Sequence, residues 1–154
     1  MTKIMKKKLT HLFLMTQENK ELLLKDLCAR LPYKVKCCIY NFGEDIVRIK
    51  EDVLWSVQGD NILTLKSCVE KGEAYMYHQI KPYLFPLSSM TEIQCYELAS
   101  IRSDFQDCWK YIKTPIPLSI CNFEQIDWFN RNHLDYRGLI EKGLAIDATG
   151  LNIY

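Results

Sequence analysis

No stretch of this sequence approaches the ~18–20 consecutive apolar residues that cross a bilayer as a helix, so no membrane partner is expected. CxxC pairs, the HExxH zinc motif, the G-x-S-x-G nucleophile elbow and the glycine-rich dinucleotide fingerprint are all missing. Histidine is scarce, with only His11, His78 and His133, and none has a second histidine or a cysteine at the short spacing of a zinc site. Neither a metal nor a cofactor is expected. Gly138 and Gly143 have the G-x-x-x-x-G spacing, but Leu144 stands where a phosphate loop needs lysine.

Seven cysteines are present, an odd number without framework spacing, which points to reduced thiols in a cytoplasmic protein. Residues 6–15 imitate the start of a signal peptide, yet Thr10 and His11 interrupt the apolar part and no small-x-small site follows. Charge is nearly balanced at +1 but unevenly spread. Residues 1–50 hold 11 Lys/Arg and 5 Asp/Glu, whereas residues 51–154 hold 9 and 14. Lys3, Lys6, Lys7 and Lys8 supply much of the excess. A basic tail is weak support for a nucleic-acid groove.

The 154 residues, 48% hydrophobic and 25% charged, suit one globular domain over residues 16–154 after an N-terminal extension at 1–15. A helix is expected over 16–31: Thr16 can cap it, Pro32 ends it, and Leu23 or Leu24, Leu27, Cys28 and Leu31 form its stripe. Short strands follow near 34–42, 46–49, 53–57, 62–65 and 74–80, with Asn41 to Asp45 as a turn and Gln58-Gly59-Asp60-Asn61 closing a hairpin. Residues 81–91, with Pro82 and Pro86, read as a rigid connector. Thr91 and Gln94 form a capping box for a helix whose apolar spacing continues through Phe105, Cys108 and Ile112. Asn122 and Gln125 open a last helix to about Asn132, with Phe123, Ile126 and Phe129 inward. The expected class is therefore α+β. A small twisted antiparallel sheet or open barrel of about five strands carries the N-terminal helix and two C-terminal helices.

Chemistry is densest in His133, Asp135, Tyr136 and Arg137. A carboxylate can orient a histidine as a general base, and arginine can grip a phosphate, so His133, Asp135 and Arg137 are the candidate site for an enzyme or ligand-binding protein acting on nucleotides or nucleic acid. The competing expectation is structural, with Asp135 capping a turn, Arg137 paired with a carboxylate, Tyr136 anchored in the core and Gly143 left-handed. No nucleophile or second histidine stands nearby, which favours a non-enzymatic protein. Trp55, Tyr75, Tyr77, Tyr83 and Phe85 are interleaved with few lysines, which suits core or protein contact better than base stacking. Tyr83, Phe85, Tyr136 and Arg137 form the expected interaction patch, because tyrosine and arginine are typical anchors.

Three blocks resemble a family. They are Leu27-Cys28-Ala29-Arg30-Leu31-Pro32-Tyr33, Lys81-Pro82-Tyr83-Leu84-Phe85-Pro86-Leu87-Ser88-Ser89-Met90-Thr91-Glu92 and His133-Leu134-Asp135-Tyr136-Arg137-Gly138-Leu139-Ile140-Glu141-Lys142-Gly143-Leu144-Ala145. In combination and order they look like an uncharacterised family of small proteins from phages, prophages and mobile elements of gut bacteria. The resemblance implies an intracellular, mobile-element context and makes residues 1–14 an extension or an upstream start. The missing catalytic constellation and the rigid, aromatic-rich connectors point to an accessory protein that binds a host or mobile-element protein. The resemblance carries over no catalytic residue. Residues 147–154 depart from the proline-containing ending that the resemblance implies.

Overall fold

The structure, a computed structural model, describes residues 15–154 apart from 43–45, 71, 73 and 102–120, and for 41, 42 and 46–50 the backbone alone. The chain divides into two compact units, one up to Lys81 and one from Pro82, where the sequence suggests one domain. Among the described residues, helices accompany an open sheet of six strands in the order β4-β3-β2-β1-β5-β6, the expected α+β architecture. The strands are β1 Lys36–Phe42, β2 Ile46–Gln58, β3 Asn61–Thr64, β4 Tyr75–Met76, β5 Ile80–Leu84 and β6 Ile146–Asp147. The sheet is mostly antiparallel; β5 and β6 pair parallel.

In the first unit, helix α1 covers Gln17–Arg30, and Thr16 Oγ1 accepts its cap bond from Asn19 N at 3.2 Å. Its buried stripe is Leu23, Asp26, Leu27 and Arg30, at three- and four-residue steps. Cys28, expected inward, is exposed because it lies one helical step beyond Leu27. Two of the four inward residues are charged. Asp26 and Arg30, both fully buried, form a two-pronged ion pair at 2.7 and 3.1 Å. A lone charge there would be costly to desolvate, so the fork is what lets either residue sit inside.

The two strands expected at 46–49 and 53–57 are one strand of 13 residues. The intervening Lys50-Glu51-Asp52 keeps its backbone pairing to β1, with Cys38 opposite Glu51 and Cys37 opposite Asp52. Asp52 then serves the turn into a helix that the sequence did not suggest, α2 Leu65–Val69. Its Oδ2 accepts from Thr64 Oγ1 at 2.6 Å and from Lys66 N at 3.0 Å. The hairpin at 58–61 forms as expected, with Gly59 at φ 60. The expected turn at 41–45 falls partly outside the described residues.

Residues 74–80 do not make one strand. Gln79 Oε1 accepts from Met76 N at 2.8 Å, which folds Tyr77–Gln79 into a 3-10 turn between β4 and β5. Part of the expected connector is itself sheet: β5 runs through Pro82, and its pairing with β6 uses Tyr83 and Leu84 beyond the proline.

In the second unit, α3 Glu92–Ile101 starts from the Thr91–Gln94 capping box, with both reciprocal bonds made at 2.9 and 3.2 Å. Its expected continuation through Phe105, Cys108 and Ile112 lies outside the described residues. Helix α4, Phe123–Arg131, has the Asn122–Gln125 box. The helices run antiparallel: Gln94 Nε2 reaches Asn132 Oδ1 at 3.4 Å, and Trp128 Nε1 donates to Glu97 Oε2 at 3.3 Å. Leu87, Cys95, Leu98, Trp128, Phe129, Leu134 and Tyr136 form this unit's core. Phe123 is not among them. It is 82% exposed, since the buried arc of α4 centres on Gln125, Trp128 and Phe129.

Candidate functional site

Residues 132–144 begin where α4 ends. His133 adopts φ 54, the left-handed conformation that glycine usually supplies after a helix. Its N–H bonds to Asn130 O at 3.2 Å, and the Leu134 N–H reaches back to Phe129 O at 3.0 Å. These are the two bonds of a Schellman ending, and Leu134 packs in the same core cluster as Phe129. The turn aims the chain beside the end of β5. Phe85 N donates to His133 O at 2.9 Å, and Asp135 N to Phe85 O at 2.8 Å.

Asp135 is 6% exposed and works as a clamp. Its Oδ1 accepts from Leu139 N at 2.9 Å and its Oδ2 from Ile140 N at 2.8 Å. Both oxygens thus hold the following turn, as the structural expectation required. Tyr136 is fully buried; its ring stacks on Phe129 at 5.2 Å, and its hydroxyl reaches Asn130 Oδ1 at 3.1 Å. Arg137 Nε donates to the same hydroxyl at 3.1 Å, and its guanidinium lies 4.9 Å over the Tyr136 ring. Gly138 and Gly143 both have positive φ, and Gly143 N closes the turn on Ile140 O at 2.9 Å. Leu139 and Leu144 are buried, docking the segment onto the unit.

His133, Asp135 and Arg137 are therefore engaged by different neighbours: Tyr154, the 139–140 backbone and Tyr136, respectively. The expected interaction patch is corrected in part by burial. Tyr83 and Tyr136 are both 0% exposed and belong to the interior, while Phe85 and Arg137 are half-buried.

A feature that the sequence did not reveal is an aromatic slot. The Tyr154 ring lies parallel to the His133 imidazole at 4.0 Å between centroids with a 13° interplanar angle, and Phe85 stands 5.8 Å away, tilted by 51°. The Tyr154 hydroxyl donates to Tyr83 O at 2.9 Å. The available signal was a lone aromatic after Thr149-Gly150-Leu151-Asn152-Ile153; its seat depends on tertiary geometry. A second missed feature is an open groove of about 270 Å³ over α4, lined by Ile101, Phe123, Glu124, Asp127, Trp128 and Arg131. Asp127 and Arg131 pair across one turn at 2.7 Å. On the neighbouring α3, Ile93 and Tyr96 are 70% and 71% exposed.

In the first unit, burial pushes the Cys37 thiol well above its usual range, helped by Asp26 and Asp52, so it stays protonated. Burial lowers His78 and Lys81. Among the described residues, no group of three His, Cys, Asp or Glu side chains could hold a metal, and no helix is long and apolar enough to cross a membrane. No family model, curated protein or solved structure matches the chain.

Proposed function

We propose that this protein is a non-enzymatic binding protein, an accessory of a phage or mobile element that acts in the cytoplasm on a host or element protein. The observation that carries the binding role is the exposure of three large apolar side chains on two adjacent helices: Ile93, Tyr96 and Phe123 are 70%, 71% and 82% exposed. Single apolar residues are ordinary on a surface, but Phe123 rims an open groove together with Ile101 and Trp128, which is the composition of a contact site. Phe123 there, and Tyr96 on the neighbouring helix, are the natural anchors for a partner. The mobile-element context rests on the three-block resemblance, and the cytoplasmic setting is supported by the free thiols of Cys28, Cys37, Cys38 and Cys68.

The alternative, nucleotide or nucleic-acid chemistry through His133, Asp135 and Arg137, is disfavoured because both Asp135 oxygens already hold backbone N–H groups. A carboxylate so occupied is poorly placed to orient a histidine or take a proton.

The test is affinity capture with a tagged chain from cells carrying the element, run beside Phe123→Asp and Tyr96→Asp variants. The expected result is one stoichiometric protein partner that both exposed-site variants lose while keeping the wild-type circular dichroism. Capture of no partner by wild type, or capture unaffected by the substitutions, contradicts the proposal.

A further inference from the structure

The seat of Tyr154 has the parts of a recognition site. A flat imidazole lies against one face of the ring, a phenyl edge bounds it, and a backbone carbonyl waits where a para-hydroxyl ends. Stacking supplies affinity for any aromatic ring, whereas the carbonyl favours a ring carrying a hydrogen-bond donor at that place. The occupant is also built to leave. Leu151 and Tyr154 remain 48% and 43% exposed, the backbone over 152–154 is irregular, and Asn152 sits at φ 50, where a side chain is strained.

We propose that the slot between His133 and Phe85 is a docking site for a tyrosine side chain, filled by the chain's own Tyr154 until a partner protein presenting an exposed tyrosine displaces it. The proposal deepens the protein-binding function and rests on it for the identity of the competitor. The occupant seen in the slot is itself a tyrosine on an irregular segment of chain, which favours a peptide over a nucleobase. Because a tethered segment competes at an effective concentration of order mM, the intact chain binds such a partner weakly unless a second surface contributes. That places Tyr154 as a strap that sets a threshold for binding.

The probe is a synthetic peptide of residues 148–154, titrated by fluorescence polarisation into the full chain and into its Tyr154→Ala variant. The expected result is at least about tenfold tighter binding to Tyr154→Ala than to wild type, since the internal competitor is gone. A peptide ending in phenylalanine instead should bind several-fold more weakly, and His133→Ala combined with Tyr154→Ala should abolish binding. Should Tyr154→Ala fail to fold, Tyr154→Phe keeps the ring seated and loses only the hydroxyl; the peptide should then bind it more tightly than wild type. Equal affinity for variant and wild type, equal affinity of the phenylalanine peptide, or binding of adenosine in place of the peptide would each overturn the proposal. Capture through Phe123 and Tyr96 is read on other residues, so it can succeed where this experiment fails.

Discussion

His133 holds a backbone conformation that disfavours its own side chain, and its imidazole is the stacking partner of Tyr154. These two effects oppose each other and can be separated by substitution. Alanine removes the ring and keeps the left-handed strain, whereas glycine removes both. The strain is worth roughly 1–2 kcal/mol and the stack about 0.5–1.5 kcal/mol. In urea unfolding, His133→Gly should therefore be more stable than His133→Ala by about 1–2 kcal/mol and lie near wild type. Equal stability of the two, or greater stability of the alanine variant, would show that the turn is not strained. The sequence alone placed a histidine in this corner but could not say why, since φ is set by the Schellman ending and the stack by a residue 21 positions later.

At the level of elements, local signals read well and signals that depend on partners read poorly. The caps at Thr16, Thr91 and Asn122 and the Gly59 hairpin form as their spacing suggests, because each is decided within four residues. Pro82 misled, since a proline run looks like a connector until a strand on the far side of the sequence pairs beyond it. Phe123 misled in the other direction: periodicity identifies a helix more securely than it identifies which arc is covered. Asp52, in the gap between the two expected strands at 46–49 and 53–57, is in fact a joint. It ties β2 to the start of α2 through Thr64 and the Lys66 amide. Asp52→Asn should cost about 1.5–3 kcal/mol, the range for bonds to a charged acceptor. Hydrogen exchange should localise the loss, with the Lys66 and Ser67 amides exchanging faster; a uniform change across the chain would contradict this joint.

At the scale of the molecule, composition and element order were enough to indicate an α+β fold, and the open sheet agrees. The division at Lys81 and Pro82 was not legible, because it falls inside a strand and carries no linker composition. The dense polar chemistry of residues 132–144 holds the second unit together, with Asp135 clamping the Leu139 and Ile140 amides. The most direct measurement is the unfolding free energy of Asp135→Asn, with amide exchange at Leu139 and Ile140. A clamp using both carboxylate oxygens predicts a loss of about 1.5–3 kcal/mol and faster exchange at those two amides. Wild-type stability with unchanged protection at Leu139 and Ile140 would contradict it and return Asp135 to the list of reactive groups.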